Sequence, residues 1–236
     1  MLGPYNPQPT THNLQHVEFT LSANTGSLIL ASSSPRRREL LAMLGIAFEV
    51  IPSHIEEEEI DGETSREHVA RLSQAKAREV GRTFKDRWIL GADTIVFIDG
   101  EILGKPRMGA EANCMLRKLS GREHTVMTGF FIYHPELNQS AGAVVESRVA
   151  IKKLTDSEIE GYIKTGEPFD KAGAYAVQGI GMFMIEKIFG SHTNVIGLPV
   201  CEVVSALKRL GAIRFLEEGI HGDYCREYCT PSRTHL

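Results

Sequence analysis

The residues Ser33-Ser34-Pro35-Arg36-Arg37-Arg38 put three arginines into what reads as the first turn of a helix. The helix macrodipole already presents partial positive charge there, so each exposed cation costs about 0.3–1 kcal/mol. An anion resting on the free N–H groups reverses that sign, and a guanidinium fork matches phosphate oxygens two at a time. The plainer reading is a solvated basic turn, which suits Arg38, one residue further round. Asp93 is the second such residue. It follows the apolar run Trp88-Ile89-Leu90-Gly91-Ala92 and so falls where open α/β sheets place their ligands. A carboxylate there serves as a metal ligand, as a general base towards water, or as a turn residue capping the strand. Lys105, in Gly104-Lys105-Pro106, occupies a constrained turn. Lys171 lies in the turn-rich stretch Gly166-Glu167-Pro168-Phe169-Asp170-Lys171-Ala172-Gly173. Lys76 reads by default as a surface charge, and Glu56–Glu59 as a solvated acidic run.

Short alternating elements must position these groups. Ser27–Ala31 reads as a buried strand, followed by a helix with Ser34 at the N-cap, Pro35 at its first position and Gly45 beyond its end. Ile46 to Pro52 reads as a second strand. Thr64-Ser65-Arg66-Glu67 is a capping box that opens a helix to about Thr83, and Thr155 to Glu158 is another. Asp93-Thr94 is expected at the carboxyl end of a strand over 88–92. Asp99-Gly100 then turns a hairpin between 95–98 and 101–103. Residues 110–119 read as a helix, 123–133 and 143–151 as antiparallel strands, 182–188 as a strand, and 199–211 as a last helix. The order favours a mixed α/β sheet. Residues 1–27 read as a flexible extension and 213–236 as a tail. The tail residues His221, Cys225, Cys229 and His235 have zinc-compatible spacings but lack the two-residue cysteine knuckle, and read first as incidental.

The 236 residues carry 26 Lys and Arg against 30 Asp and Glu, a net charge of −4, which argues against sequence-independent coating of DNA. Apolar residues at 42% and charged residues at 24% describe a globular chain. No apolar run is long enough to span a bilayer, and the N-terminus lacks a signal-peptide pattern, so the expected compartment is the cytoplasm. Walker and Rossmann glycine fingerprints are absent from the sequence. The arginine cluster also has no adjacent aromatic residue, which disfavours a nucleic-acid module.

The motifs Leu30-Ala31-Ser32-Ser33-Ser34-Pro35-Arg36-Arg37, Gly91-Ala92-Asp93-Thr94, Gly104-Lys105-Pro106 and Leu119-Ser120-Gly121-Arg122-Glu123-His124 resemble, in order, those of the Maf family. So do Phe169-Asp170-Lys171-Ala172-Gly173-Ala174-Tyr175, Gln178-Gly179 and Asn194-Val195-Ile196-Gly197-Leu198-Pro199. The likeness covers residues 28–212. It implies a two-lobed α/β fold of the Maf/ITPase-like kind, with an elongated mixed sheet and a central cleft. It also implies a pyrophosphatase that cuts nucleoside triphosphates into monophosphate and pyrophosphate with Mg²⁺ or Mn²⁺.

On this resemblance Asp93 is the proton acceptor, with Lys76 and Lys105 beside it as catalytic cations. Ser34, Arg36, Arg37, Thr94, Lys171 and Gln178 bind substrate, and Glu57 and Asp93 hold the metal. Arg36, Thr94 and Gln178 together are similar to the dTTP/UTP branch rather than the 7-methyl-GTP branch, with modified nucleotides as further substrates. The chain departs from the family in Glu56-Glu57 where Asp-Glu is usual, Ala176 for glycine and His192 for an aromatic residue. The implied partner is a nucleoside triphosphate; a homodimer is compatible with the sequence. The competing reading is a non-catalytic nucleotide or nucleic-acid binder that regulates septum formation.

Overall fold

The computed structural model describes residues 19–21, 27–58 and 60–215. In chain order these form β1 (Phe19–Leu21), β2 (Leu28–Leu30), α1 (Pro35–Ala42), β3 (Phe48–Val50), α2 (Ser65–Gly81), β4 (Trp88–Ile98), β5 (Glu101–Leu103) and α3 (Gly109–Leu119). There follow β6 (Glu123–His134), β7 (Gln139–Ile151), α4 (Asp156–Lys164), β8 (Ile185–Phe189), α5 (His192–Ile196), α6 (Val200–Arg209) and β9 (Ile213–Phe215). Short 3₁₀ turns fill 167–170, 172–174 and 180–184.

The main sheet runs β3-β2-β4-β6-β7-β8, with β5 paired to β4. The β3-β2-β4 pairings are parallel and the rest antiparallel, which makes the mixed α/β sheet expected from the element order. Along β4 the side chains alternate between two layers. Trp88, Leu90, Ala92, Val96 and Ile98 join the main core with residues of α1, α3, α4 and α6, while Ile89 and Ile95 pack on the other face with residues of α2. Two glycines let α2 lie directly on the sheet. A Cβ at Gly91 would stand 2.2 Å from the Ser73 carbonyl oxygen, and one at Gly129 2.3 Å from that of Val69.

Both capping boxes form. Thr64 and Thr155 each accept from the backbone of the glutamate three residues on, which returns a bond to the threonine's backbone. The hairpin turn at Asp99-Gly100 also forms, with φ of 53° and 82°, the two positive values a type I′ turn requires.

Four expectations change. Asp93-Thr94 lies in the middle of β4, an 11-residue strand, rather than at a strand end. Asp93 stays buried and Thr94 half-buried because each finds partners, described below. Residues 182–184 belong to a 3₁₀ turn, so β8 starts only at Ile185. Glu167 causes this by accepting the backbone N–H groups of Ile180 and Gly181 at 3.0 and 2.8 Å. The short helix α5, which the sequence pattern did not show, precedes α6. Finally, Phe19–Leu21 pairs antiparallel with Ile213–Phe215, joining a piece of the supposed extension to the start of the supposed tail. The zinc-compatible tail residues lie outside the described residues.

The continuous β4 is what creates a site. On one edge it pairs with β6 without a break from Ile89 to Phe97. On the other edge β2 covers only Trp88–Leu90 and β5 only Val96–Ile98. Between them residues 91–95 have no strand neighbour, and the sheet is open where it carries Asp93 and Thr94.

Candidate active site

A cleft of about 290 Å³ opens at that gap. It gathers all ten candidate catalytic, substrate and metal residues: Ser34, Arg36, Arg37, Glu57, Lys76, Asp93, Thr94, Lys105, Lys171 and Gln178. Five cations face three carboxylates (Glu57, Asp93 and Asp170) in its lining, so the cleft is net positive in a net negative chain.

Adjacent residues of β4 serve its two sides. Asp93 points towards α2, where Lys76 Nζ donates to its Oδ1 at 2.7 Å and contacts Glu57 Oε1 at 2.6 Å. Lys76 is therefore no surface charge: its side chain and that of Asp93 are both more than nine-tenths buried. Thr94 points to the opposite layer and meets Arg37. The Arg37 guanidinium donates from Nε to the Gly197 carbonyl at 2.8 Å, from Nη1 to Ser32 Oγ at 3.1 Å and from Nη2 to Thr94 Oγ1 at 2.9 Å. All three acceptors are neutral, and Arg37 makes no salt bridge among the described residues. Burial pulls its pKa below the ordinary value, and the nearby charges of Asp93 and Glu57 offset part of that. A guanidinium has five N–H groups, so one remains on each terminal nitrogen, a free fork suited to two phosphate oxygens.

Arg36 is engaged differently. It donates to the Asp170 carboxylate at 3.0 Å and to the Asp170 carbonyl at 3.2 Å. Lys171 also contacts Asp170, at 2.5 Å, and donates to the Glu167 carbonyl at 2.8 Å. Asp170 thus neutralises two of the cations expected to meet substrate. Lys105 is exposed on its turn, which the Gly173 N–H ties to the Lys171 segment through the Gly104 carbonyl. Ser34 makes no side-chain bond to α1, so the first N–H groups of that helix have no cap. Arg38 is exposed, as its plain reading requires.

The cleft lining also has apolar members that belong to the main core, Val96, Val126, Tyr175, Val177 and Ile196, together with the amide of Gln178. The Tyr175 hydroxyl lies 2.6 Å from His124 Nε2. Burial lowers His124 to about 4 and raises the Tyr175 phenol, so both rings are neutral near pH 7 and the pair serves to fix the lining. Glu167 clamps the segment after Gln178. Ala176 is buried in the lining, and His192 is exposed away from it.

Glu57 and Asp93 converge on one ammonium, a position already built for positive charge. Two carboxylates suit Mg²⁺, which takes one or two protein oxygens and completes its shell with phosphate and water. Among the described residues no cluster of three or more His, Cys, Asp or Glu is placed to hold a metal alone. The donor set therefore fits a cation shared with a phosphorylated ligand.

Sequence reasoning missed Ser32, Thr128, the Gly197 carbonyl and the bridging role of Asp170. Thr128 carried one signal: a hydroxyl in the middle of the apolar run 126–132, placed opposite Thr94 by the β4–β6 register.

The family model for Maf-like proteins matches residues 27–210. The chain belongs to the Maf-like family. It is 54% identical to a protein named dTTP/UTP pyrophosphatase from Geotalea uraniireducens over 187 residues, 79% of this chain and 96% of that one. A protein of the same name from Syntrophotalea carbinolica is also 54% identical, over 79% of this chain and 86% of its own. One from Caldicellulosiruptor saccharolyticus is 49% identical over 78% and 94%. Among solved structures, a HAM1 protein from Coxiella burnetii is similar at 18% identity over 78% of this chain and 98% of that one, with a TM-score of 0.41, too loose a likeness to argue from. Within this Maf-like chain no described helix is long and apolar enough to cross a membrane.

Proposed function

We propose that this Maf-like chain is a nucleoside triphosphate pyrophosphatase that acts on dTTP and UTP. The observation that carries the reading is the cleft's division of labour. Arg37, a largely buried cation without a carboxylate partner, has two unspent N–H groups, and it stands across β4 from the buried carboxylate Asp93. A binder needs only the first; a hydrolase needs both.

In this reading Arg37 and Lys105 hold the triphosphate, and Arg36 and Lys171 join them when Asp170 yields. Asp93 accepts the proton of a water whose oxygen attacks the α-phosphorus. The bond from that phosphorus to the bridging oxygen breaks, and pyrophosphate leaves with the electron pair. Lys76 keeps Asp93 and Glu57 aligned, and the cleft cations offset charge on the leaving group. A divalent cation held by Glu57 and Asp93 would supply Lewis-acid polarisation of the phosphate oxygens. The apolar lining and Gln178 take the pyrimidine, in keeping with the names of the curated relatives.

The test is pyrophosphate release from dTTP, UTP, CTP, 7-methyl-GTP and ITP with Mg²⁺ or Mn²⁺, with and without EDTA. Release should favour dTTP and UTP and stop with EDTA, and Asp93→Asn should lower kcat by about 10²–10⁴-fold. Undiminished turnover in Asp93→Asn would remove that residue from the mechanism. No release from folded wild-type protein would leave a nucleotide binder.

A further inference from the structure

We propose that Thr128 is a positioning residue that aims Arg37 through Thr94, so that a hydroxyl outside the cleft sets the phosphate end of the substrate.

The argument is a count of hydroxyl protons. Each threonine hydroxyl has one proton to give and two lone pairs. Thr128, with no solvent exposure, donates to the Asn194 carbonyl at 3.0 Å. The arrangement that fills both short contacts leaves that proton on the Asn194 carbonyl and has Thr94 donate in the 2.9 Å contact between Thr94 Oγ1 and Thr128 Oγ1. Among the described residues the other acceptor near the Thr94 hydroxyl is the Gly197 carbonyl, at the longer distance of 3.4 Å, which also accepts from Arg37 Nε at 2.8 Å. With its proton committed to Thr128, Thr94 turns a lone pair to Arg37 Nη2. The chain Asn194 carbonyl, Thr128, Thr94, Arg37 is thus a one-way relay of donors.

The relay is anchored at its root. Asn194 is fully buried, and its amide donates to the Val126 carbonyl at 3.2 Å and to Ser147 Oγ at 3.0 Å. Ser147 in turn donates to the Ser191 carbonyl at 3.1 Å. The helix α5 that supplies the Asn194 carbonyl, and Gly197 just beyond it, are therefore pinned to β6 and β7. Arg37 hangs from this frame by two of its three bonds, to Thr94 and to Gly197. Removal of the Thr128 hydroxyl leaves Thr94 free to turn its proton elsewhere, and the guanidinium fork loses its fixed plane.

The inference rests on Arg37 being a phosphate ligand, so the experiment separates the two. Inorganic tripolyphosphate, which has no base, is titrated calorimetrically in EDTA into wild type, Thr128→Val, Thr128→Ser and Thr94→Val. The kcat/KM ratio of dTTP to CTP is measured with Mg²⁺ for the same proteins, and thermal unfolding verifies that each is folded. The expected result is a weakening of tripolyphosphate binding by about five- to tenfold in Thr128→Val and in Thr94→Val. Thr128→Ser should restore it, and the dTTP to CTP ratio should stay within about twofold in Thr128→Val. Should Thr128→Val fail to fold, Thr94→Val carries the same test from the other side of the contact. Unchanged tripolyphosphate affinity in the valine variants overturns the proposal, as does a Thr94→Val that shifts only the nucleotide ratio. Wild-type protein that binds no tripolyphosphate overturns the phosphate role of Arg37 itself, and this inference with it.

Discussion

Helices α2 and α4 begin in one way and α1 in another. Each of the first two starts with a threonine whose hydroxyl accepts from the third backbone N–H, and with a glutamate that reaches back to the threonine's own N–H. Both place acidic residues in the first turn. Helix α1 starts with Ser34 and Pro35, has no side-chain cap bond and no acidic residue in its first turn, and carries three arginines there. Two helix starts are closed by their own side chains and serve stability. The third is left open, at a local electrostatic cost, beside a net positive cleft. Under the proposed function, the difference separates residues that hold the fold from residues that meet the substrate's phosphates.

The largest effect should come from the open end. Arg37→Ala removes the free fork, and charge-assisted contacts are worth about 1.5–3 kcal/mol each. The expected loss in kcat/KM for dTTP is about 10²-fold or more, with little change in melting temperature, because a poorly compensated cation leaves with its bonds. Steady-state kinetics and thermal unfolding on the same preparation check both halves. A variant with normal kinetics and a sharply lower melting temperature would show that α1 is closed by Arg37 in the way α2 and α4 are closed by their boxes, and the comparison would collapse.

The closed ends should respond in the opposite sense. Thr155→Ala deletes one capping hydroxyl, about 1 kcal/mol, which for a chain of this size lowers the melting temperature by about 2–4 °C. Its kcat/KM for dTTP should stay within about twofold of wild type, since α4 contributes no polar group to the cleft. A large kinetic loss in Thr155→Ala would mean that α4 and the cleft are coupled through Tyr162, which packs against Phe183 in the segment after Gln178.

What was legible in the sequence follows the same division. Capping boxes and an Asp-Gly hairpin are local: their partners lie within three residues, so Thr64, Glu67, Thr155, Glu158, Asp99 and Gly100 state their own structure. The site residues were also legible as types, and all ten meet in one cleft. Their surroundings were not. Asp93 and Thr94 read as the end of a strand because a carboxylate and a hydroxyl break an apolar run. Only the packing of α2 on Gly91 and Gly129, and the register that sets Thr128 opposite Thr94, show why the strand continues. The pairing of Phe19–Leu21 with Ile213–Phe215 joins segments almost 200 residues apart, a separation no local pattern reports. Asp170 has one cation beside it in sequence, Lys171, while its second, Arg36, is 134 residues away.

The smallest effect is a pH dependence that only a closed end can show. Glu158 is held down from its ordinary 4.5 to about 2, first by Lys152 and then by the backbone and hydroxyl of Thr155. A carboxyl whose folded pKa is depressed contributes stability that is fully present above the unfolded value and is lost as pH falls through the folded one. Its contribution should therefore be complete above about pH 4.5 and gone near pH 2. Glu158→Gln, which cannot ionise, should melt below wild type at neutral pH, and the gap should close steadily across that window. Arginines of the α1 first turn do not titrate there, so Arg38→Gln, at an exposed position of the same turn, should track wild type with a constant offset. A gap for Glu158→Gln that stays constant from pH 6 to pH 2.5 would mean that the α4 box draws nothing from the charge of its glutamate, and that the contrast with α1 is one of hydrogen bonds alone.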